Sequence, residues 1–150
     1  PPSCFMETIK EDYMITYDNT KTIRDMLEKS VEAYKETPFL RYERDDVIYD
    51  ISYKRFGELC RMVGTFLNER RGKLDRQVKV GLFGSSSAHY ISVLVGTMAS
   101  GNIAVPLDYQ MDIEQLADCL NRSDVDILFY DWEHVPLIND AKELCPKITE

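Results

Sequence analysis

VKVGLFGSSSAHYISVLVGTMASGNIAVPL, residues Val78 to Leu107, is the stretch whose reading decides the fold. From Val80 to Leu107 it contains no Asp, Glu, Lys or Arg, although charged residues make up 29% of the chain. A bilayer crossing takes about 20 predominantly apolar residues. This stretch is too interrupted for one: Ser85, Ser86, Ser87, Ser92, Ser100, Thr97 and Asn102 are polar, and Gly81, Gly84, Gly96, Gly101 and Pro106 break it further. Its period also changes along its length. Val78–Phe83 is a short run of β-formers, and Ser85-Ser86-Ser87 offers hydroxyls for capping a helix. Ile91, Leu94, Val95 and Met98 recur three and four apart, which predicts a helix over 88–100. Gly101 stops that helix, and Asn102–Leu107 reads as a second strand. A strand, helix and strand with charge excluded throughout predicts a buried βαβ unit in a covered parallel sheet.

The pattern continues outward on both sides. Downstream, Asp112 followed by Gln115 is a capped helix start, with Ile113, Leu116, Ala117 and Leu120 as its apolar stripe. Val125–Tyr130 reads as a third strand, so that two right-handed crossovers follow each other. A last helix runs from Val135 to Leu144, with Pro136 in its first turn. Upstream, Thr22–Glu36 is amphipathic through Ile23, Met26, Leu27, Val31 and Tyr34. Phe39–Arg44 and Val47–Tyr53 alternate around Asp45-Asp46, which predicts a hairpin with Val47, Tyr49, Ile51 and Tyr53 on one side. Phe56, Leu59, Cys60, Val63, Phe66 and Leu67 then mark a long helix ending near Gly72. Residues 1–20 lack periodicity and read as an arm over the surface. The fold class is therefore α/β: a partial, mostly parallel sheet with βαβαβ crossovers flanked by helices and preceded by a β-hairpin.

Composition narrows the function. Against 26 Asp and Glu stand 18 Lys and Arg, a net charge of −8. The densest basic run, Arg70-Arg71-Gly72-Lys73, is flanked by Glu69 and Asp75, so no face suits nucleic-acid phosphates. Cys4, Cys60, Cys119 and Cys145 form no CxxC pair, and His89 and His134 are the only histidines, so no zinc pattern exists. The thiols read as reduced, with Cys60 and Cys119 as core residues. With no basic-then-apolar leader at the start, the expected location is the cytoplasm, up to and including the membrane periphery.

Few residues suggest chemistry. Gly84-Ser85-Ser86-Ser87-Ala88 lies between strand and helix, where backbone N–H groups attract anions. It is not a Walker A loop, because no Gly-Lys-Ser/Thr follows. It resembles a nucleophile elbow centred on Ser86, and Ser86, Asp131 and His134 occur in the matching order. However, Ala88 replaces the second glycine, and a serine-rich helix cap is the preferred reading. His89 reads as a packed or rim side chain. Asp45-Asp46 reads as turn chemistry, and Asp124 and Asp126 as a solvated strand start. Tyr130 and Trp132 read as the edge of the core. No residue of this chain is assigned to catalysis, to cofactor binding or to a metal.

Two segments together resemble the adenylate-forming superfamily, the AMP-forming acyl-CoA synthetases and their relatives. Ile51-Ser52-Tyr53-Lys54-Arg55-Phe56-Gly57-Glu58-Leu59 is similar to that family's first core motif. Met98-Ala99-Ser100-Gly101-Asn102-Ile103-Ala104-Val105-Pro106-Leu107-Asp108 is similar to its second, at a helix-to-strand junction. Thr22–Tyr34 followed by Pro38-Phe39-Leu40 is similar to the entry of the long-chain fatty-acid type. The resemblance covers about residues 20–132. Departures are Phe83-Gly84-Ser85-Ser86 in place of an "LPNS"-like turn, Ser100 for a frequent Ala or Cys, and Asn102 where a small residue is common.

What the resemblance implies is an enzyme that uses ATP, Mg2+ and coenzyme A to convert a fatty acid or other carboxylate into an acyl adenylate and then a thioester. It also implies that residues 21–150 are the N-terminal part of its large AMP-binding domain. The phosphate loop, the adenine-contacting motifs and the catalytic Lys of that family do not occur here, so these 150 residues are expected to be an inert scaffold that binds no cofactor itself. In this reading Gly101 and Pro106 are structural supports. The expected partners are the carboxylate, met through the rest of the enzyme, and a second copy of the chain through uncovered strands and helix faces; no nucleic acid is expected. The alternatives are an amino-acid-activating adenylation domain and a stand-alone α/β binding or scaffold module.

Overall fold

The computed structural model describes residues 19–145. The expected arm over residues 1–20 therefore lies almost wholly outside the described residues. Helix α1 (Ile23–Tyr34) opens on a reciprocal cap: the Thr22 hydroxyl accepts from the Asp25 N–H, and the Asp25 carboxylate accepts from the Thr22 N–H. Two backbone donors that the helix itself leaves orphaned are satisfied in this way.

Strands β1 (Pro38–Arg44) and β2 (Val47–Ser52) form the hairpin, with Tyr42 opposite Tyr49 and Arg44 opposite Val47. Asp45 and Asp46 turn the chain with φ of 53° and 58°. A two-residue turn with both φ positive matches the twist of the flanking strands, and Asp is among the few residues that tolerate it. The Tyr42 and Tyr49 rings stack at 5.4 Å. The alternation does not extend to Tyr53. The Ser52 hydroxyl accepts from the Arg55 N–H and starts helix α2 (Tyr53–Leu74), so Tyr53 is helical and packs its ring on Tyr34 and Phe39. Helix α2 runs past Gly72 and stops at Asp75, which takes the left-handed conformation.

Strands β3 (Lys79–Phe83), β4 (Ile103–Leu107) and β5 (Ile127–Tyr130) are all parallel, in the order β4-β3-β5. Helix α3 (Ala88–Ala99) connects β3 to β4, and α4 (Ile113–Ser123) connects β4 back across β3 to β5. Right-handed connections that run in opposite directions must put their helices on opposite faces, and the packing agrees. Val80 and Leu82 of β3 pack with Leu67 of α2 and Leu94 of α3, whereas Phe83 packs with Leu116 and Leu120 of α4. Gly81 belongs to the second face: a Cβ there would meet Leu128 at 2.9 Å. A short 3-10 turn, Trp132–His134, leads into α5 (Val135–Leu144), which covers the α4 face with Ile138 and Ala141. A third apolar cluster joins Leu27, Phe56 and Cys60 to Leu40, Ile51 and Ile91, and seats the hairpin and α1 on α2 and α3.

Burial of the uncharged stretch is uneven. Strand β3 is buried, but β4 forms an edge where Ile103 and Pro106 are exposed, and Ile91, Val93, Leu94 and Val95 of α3 are only half-buried. The central strand alone is covered on both faces and both edges. The α3 terminus behaves as read: Gly101 has φ 77°, and the helix closes through Gly101 N–H to Met98 and Asn102 N–H to Thr97. Among the described residues no helix is long and apolar enough to cross a membrane.

Candidate functional site at the carboxyl edge of the sheet

In open parallel α/β sheets, ligands meet the loops at the carboxyl ends of the strands, where neighbouring loops part to opposite faces. Here β3 sends its chain to the α3 face, and both its neighbours send theirs to the α4 face. Three loops meet at that edge: 84–87, 108–112 and 131–134. Ser87 caps α3 by accepting from the Tyr90 N–H. Asp112 and Gln115 cap α4 reciprocally.

The first and third loops are tied together by one carboxylate. Asp131 Oδ2 accepts from the Ser85 N–H at 2.8 Å and from the Ser85 Oγ–H at 2.9 Å. The Asp131 N–H in turn donates to the Phe83 carbonyl. Gly84 lies against the same group, since a Cβ there would stand 2.7 Å from Asp131 Cγ. Strand register explains the meeting: Phe83 pairs with Tyr130, so the next residues, Gly84 and Asp131, leave the sheet side by side.

This geometry disposes of the nucleophile-elbow arrangement. Asp131 binds Ser85, while Ser86 is exposed at the tip of the turn. His134 packs edge-on against Phe83 at 4.9 Å, with Tyr109 at 6.5 Å, and its buried Nδ1 has no hydrogen-bond partner among the described residues. No relay from carboxylate to imidazole to hydroxyl exists. Trp132, read from sequence as core edge, is 80% exposed on the 3-10 turn, because the chain turns out of the sheet one residue after Tyr130. His89 is an exposed rim side chain. Asp124 caps the end of α4 in the left-handed conformation. Asp126 corrects the solvated-strand reading: it is half-buried and binds Arg76 through two hydrogen bonds, of 2.6 and 2.9 Å.

The edge does not fit a nucleotide triphosphate with its metal. Its loops carry Asp108, Asp112, Asp131 and Glu133 and no Lys or Arg, so a polyphosphate would meet repulsion instead of a cationic clamp. Among the described residues no group of three His, Cys, Asp or Glu could hold a metal ion. A groove of about 240 Å3 lies at the other end of α3, between α1, α2 and α3, over Gly57, Gly64 and Gly96. It is smaller than the usual ligand pocket of roughly 300–1,000 Å3. Sequence reasoning missed the Ser85–Asp131 tie. Its signal was the register of two strands, which emerges only when β3 and β5 are paired.

The chain is 20% identical over 122 residues to long-chain-fatty-acid–CoA ligase 1 of Cavia porcellus, covering 81% of this chain and 18% of that protein. It is 21% identical over 134 residues to long-chain-fatty-acid–CoA ligase 5 of Rattus norvegicus, covering 87% and 20%. The chain thus spans about a fifth of the length of these relatives. Among solved structures, the anthranilate CoA ligase AuaEII in complex with anthranoyl-AMP superposes with a TM-score of 0.73 at 20% identity, over 87% of this chain and 24% of that one. The N-terminal domain of FACL13 from Mycobacterium tuberculosis superposes at 0.70 and 18%, over 87% and 32%. These structures share the fold of the βαβαβ unit and its hairpin. Residues 27–149 match the family model described as AMP-binding enzyme, and with most of its length inside that match, this chain belongs to the AMP-binding enzyme family.

Proposed function

We propose that these residues are the scaffold of an ATP-dependent ligase that activates a fatty acid as an acyl adenylate and transfers the acyl group to coenzyme A. The observation that carries this reading is the family match over residues 27–149 on an edge that carries no cation. The loops at the carboxyl ends of β3, β4 and β5 shape a wall, and the groups that clamp ATP and Mg2+ belong to other parts of the enzyme. Residues 21–150 would then be the opening part of the large AMP-binding domain, and the uncharged unit would form part of the sheet and helix wall near the carboxylate. The place of action is the cytoplasm, including the membrane periphery. Support for a fatty substrate comes from the two ligases acting on long-chain fatty acids to which the chain is similar.

The test is carboxylate-dependent ATP–pyrophosphate exchange. It is run with the intact synthetase and with the 150-residue chain alone, over fatty acids, aryl acids and amino acids. Exchange by the intact protein with fatty acids, followed by acyl-CoA formation, and none by the chain alone, is the expected result. Exchange driven by amino acids only would replace this reading with an amino-acid-activating domain. Exchange by the chain alone would show that the reactive groups lie within it.

A further inference from the structure

We propose that the groove between α1, α2 and α3 is the seat of the chain's own N-terminal segment, with residues 11–18 laid across it. The groove holds about 240 Å3, less than the usual organic ligand needs and suited to a few side chains of a peptide. Its floor is apolar, with Leu27 and Cys60 buried and Val31 and Ala99 half-buried. Its exposed rim carries two guanidinium groups, Arg24 and Arg61, against one acid, Glu28. Glu58, one turn before Arg61 on α2, is already paired with Arg55 at 2.9 Å. An apolar floor inside a net positive rim fits a peptide that mixes apolar side chains with carboxylates.

Residues 11–18, Glu-Asp-Tyr-Met-Ile-Thr-Tyr-Asp, have that composition: Glu11, Asp12 and Asp18 are acidic, Tyr13, Met14, Ile15 and Tyr17 are apolar or aromatic, and no Lys or Arg occurs among them. The covalent path is short. Arg24, in the first turn of α1, lines the groove, and its Nε donates to the Ala99 carbonyl at 2.9 Å. One end of the groove therefore lies beside the point where the segment joins α1. From Arg24 to Val31 the helix lines the groove over about 10 Å, and a chain reaches up to about 3.5 Å per residue, so residues 11–18 are more than long enough. A short tether also gives an effective concentration of about millimolar, so contacts too weak to hold a free peptide suffice here.

The segment would complete a helix that is thinly covered. Among the described residues, Leu27 is the only buried residue of α1, and it and Val31 face the groove. A peptide over that face removes their remaining apolar surface from water and clamps α1 to α2 and α3. The proposal stands apart from the ligase reading, because it concerns the far end of α3 from the carboxyl edge of the sheet.

Chymotrypsin cleavage of the full chain after Tyr13 and Tyr17, followed by mass spectrometry, reads how often the segment leaves the groove, since cleavage tracks the open population. Arg61→Glu and Asp12→Lys are each expected to speed cleavage at both sites about fivefold. The double variant, which restores opposite charges, should return to within about twofold of wild type. Arg122→Glu makes the same charge change in an exposed pair on α4 and should leave the rate unchanged. Cleavage as fast in wild type as in Arg61→Glu leaves the groove to another part of the enzyme and overturns the proposal. A double variant as fast as the two single ones overturns it as well. Protection that is lost on dilution shows that the segment of a second copy fills the groove, and overturns the assignment to the chain's own segment. Each of these outcomes leaves the ligase reading intact.

Discussion

Asn102 and Asp126 do the same work on the first residues of the central strand. Asn102 Oδ1 accepts from the buried Val78 N–H at 3.0 Å, and Asp126 Oδ2 accepts from the Lys79 N–H at 2.9 Å. Each satisfies a backbone donor that would otherwise be costly to leave unpaired. The Asn102 amide donates to the Ser100 hydroxyl, which donates to the Thr97 carbonyl. Ser100 and Asn102, both read from sequence as departures from the motif that the second segment resembles, therefore belong to one network. For Asp126, burial pushes its carboxyl up, but the Arg76 guanidinium and the Lys79 N–H outweigh it and hold the group below the usual carboxylate range. A depressed acid contributes stability that is present above its unfolded value, about 3.9, and lost as pH falls through the lower folded value. Arg76 is half-exposed, so solvent screening reduces the effect. Asp126→Asn is expected to cost about 1 kcal/mol at pH 7, and the difference from wild type should shrink as urea denaturation is repeated from pH 5 down to pH 2. A loss that stays constant with pH would show that the charge plays no part.

At the scale of elements, the periodicities locate the helices and say little about which faces meet. Helices α2 and α3 cross where glycine lets their backbones approach. A Cβ on Gly96 would stand 2.8 Å from the Cys60 carbonyl oxygen and 2.9 Å from Val63 Cβ. Gly72, in the last turn of α2, has nothing within 4 Å. The same substitution should therefore act with opposite sign at the two sites. Gly72→Ala is expected to stabilise by about 0.5–1 kcal/mol through the better helix former. Gly96→Ala is expected to destabilise by about 1–2 kcal/mol, because overpacking against rigid backbone exceeds that gain. Denaturation midpoints of the two variants check the pair; a stabilised Gly96→Ala would mean the crossing is loose. The same packing makes Cys60 an inert thiol, since burial pushes it up to about 11, far from the thiolate that reagents need. Cys60 reads as core from sequence because it sits on an apolar stripe, whereas Cys119, read the same way, is only half-buried on α4.

Across the whole molecule, three parallel strands leave two outer edges unpaired among the described residues. On β4 Pro106 lacks an N–H and blunts pairing. On β5 the run Ile127–Tyr130 has no such guard. Exposed edges of this kind pair with other chains, and Phe39, Val47, Ile48 and Tyr49 add exposed apolar surface on the hairpin. The 17.4 kDa chain is therefore expected to self-associate. Light scattering across concentrations should give a mass that rises above the monomer; a constant monomer mass would argue for a unit complete in itself. The sequence by itself determined the order of elements, because helix and strand periods and the helix signals at Asp112 and Gly101 are local; that only β3 of the uncharged stretch is central, with β4 at the edge, was left to the packing. It also carried the family motifs, which are runs of neighbouring residues. What only the tertiary structure decided is the pairing of distant residues: Asp131 with Ser85 instead of His134, Asp126 with Arg76, Gly96 against Cys60, and Trp132 turned to water. Those outcomes depend on strand register and helix crossing, which are set by how separate segments pack and leave no period along the chain.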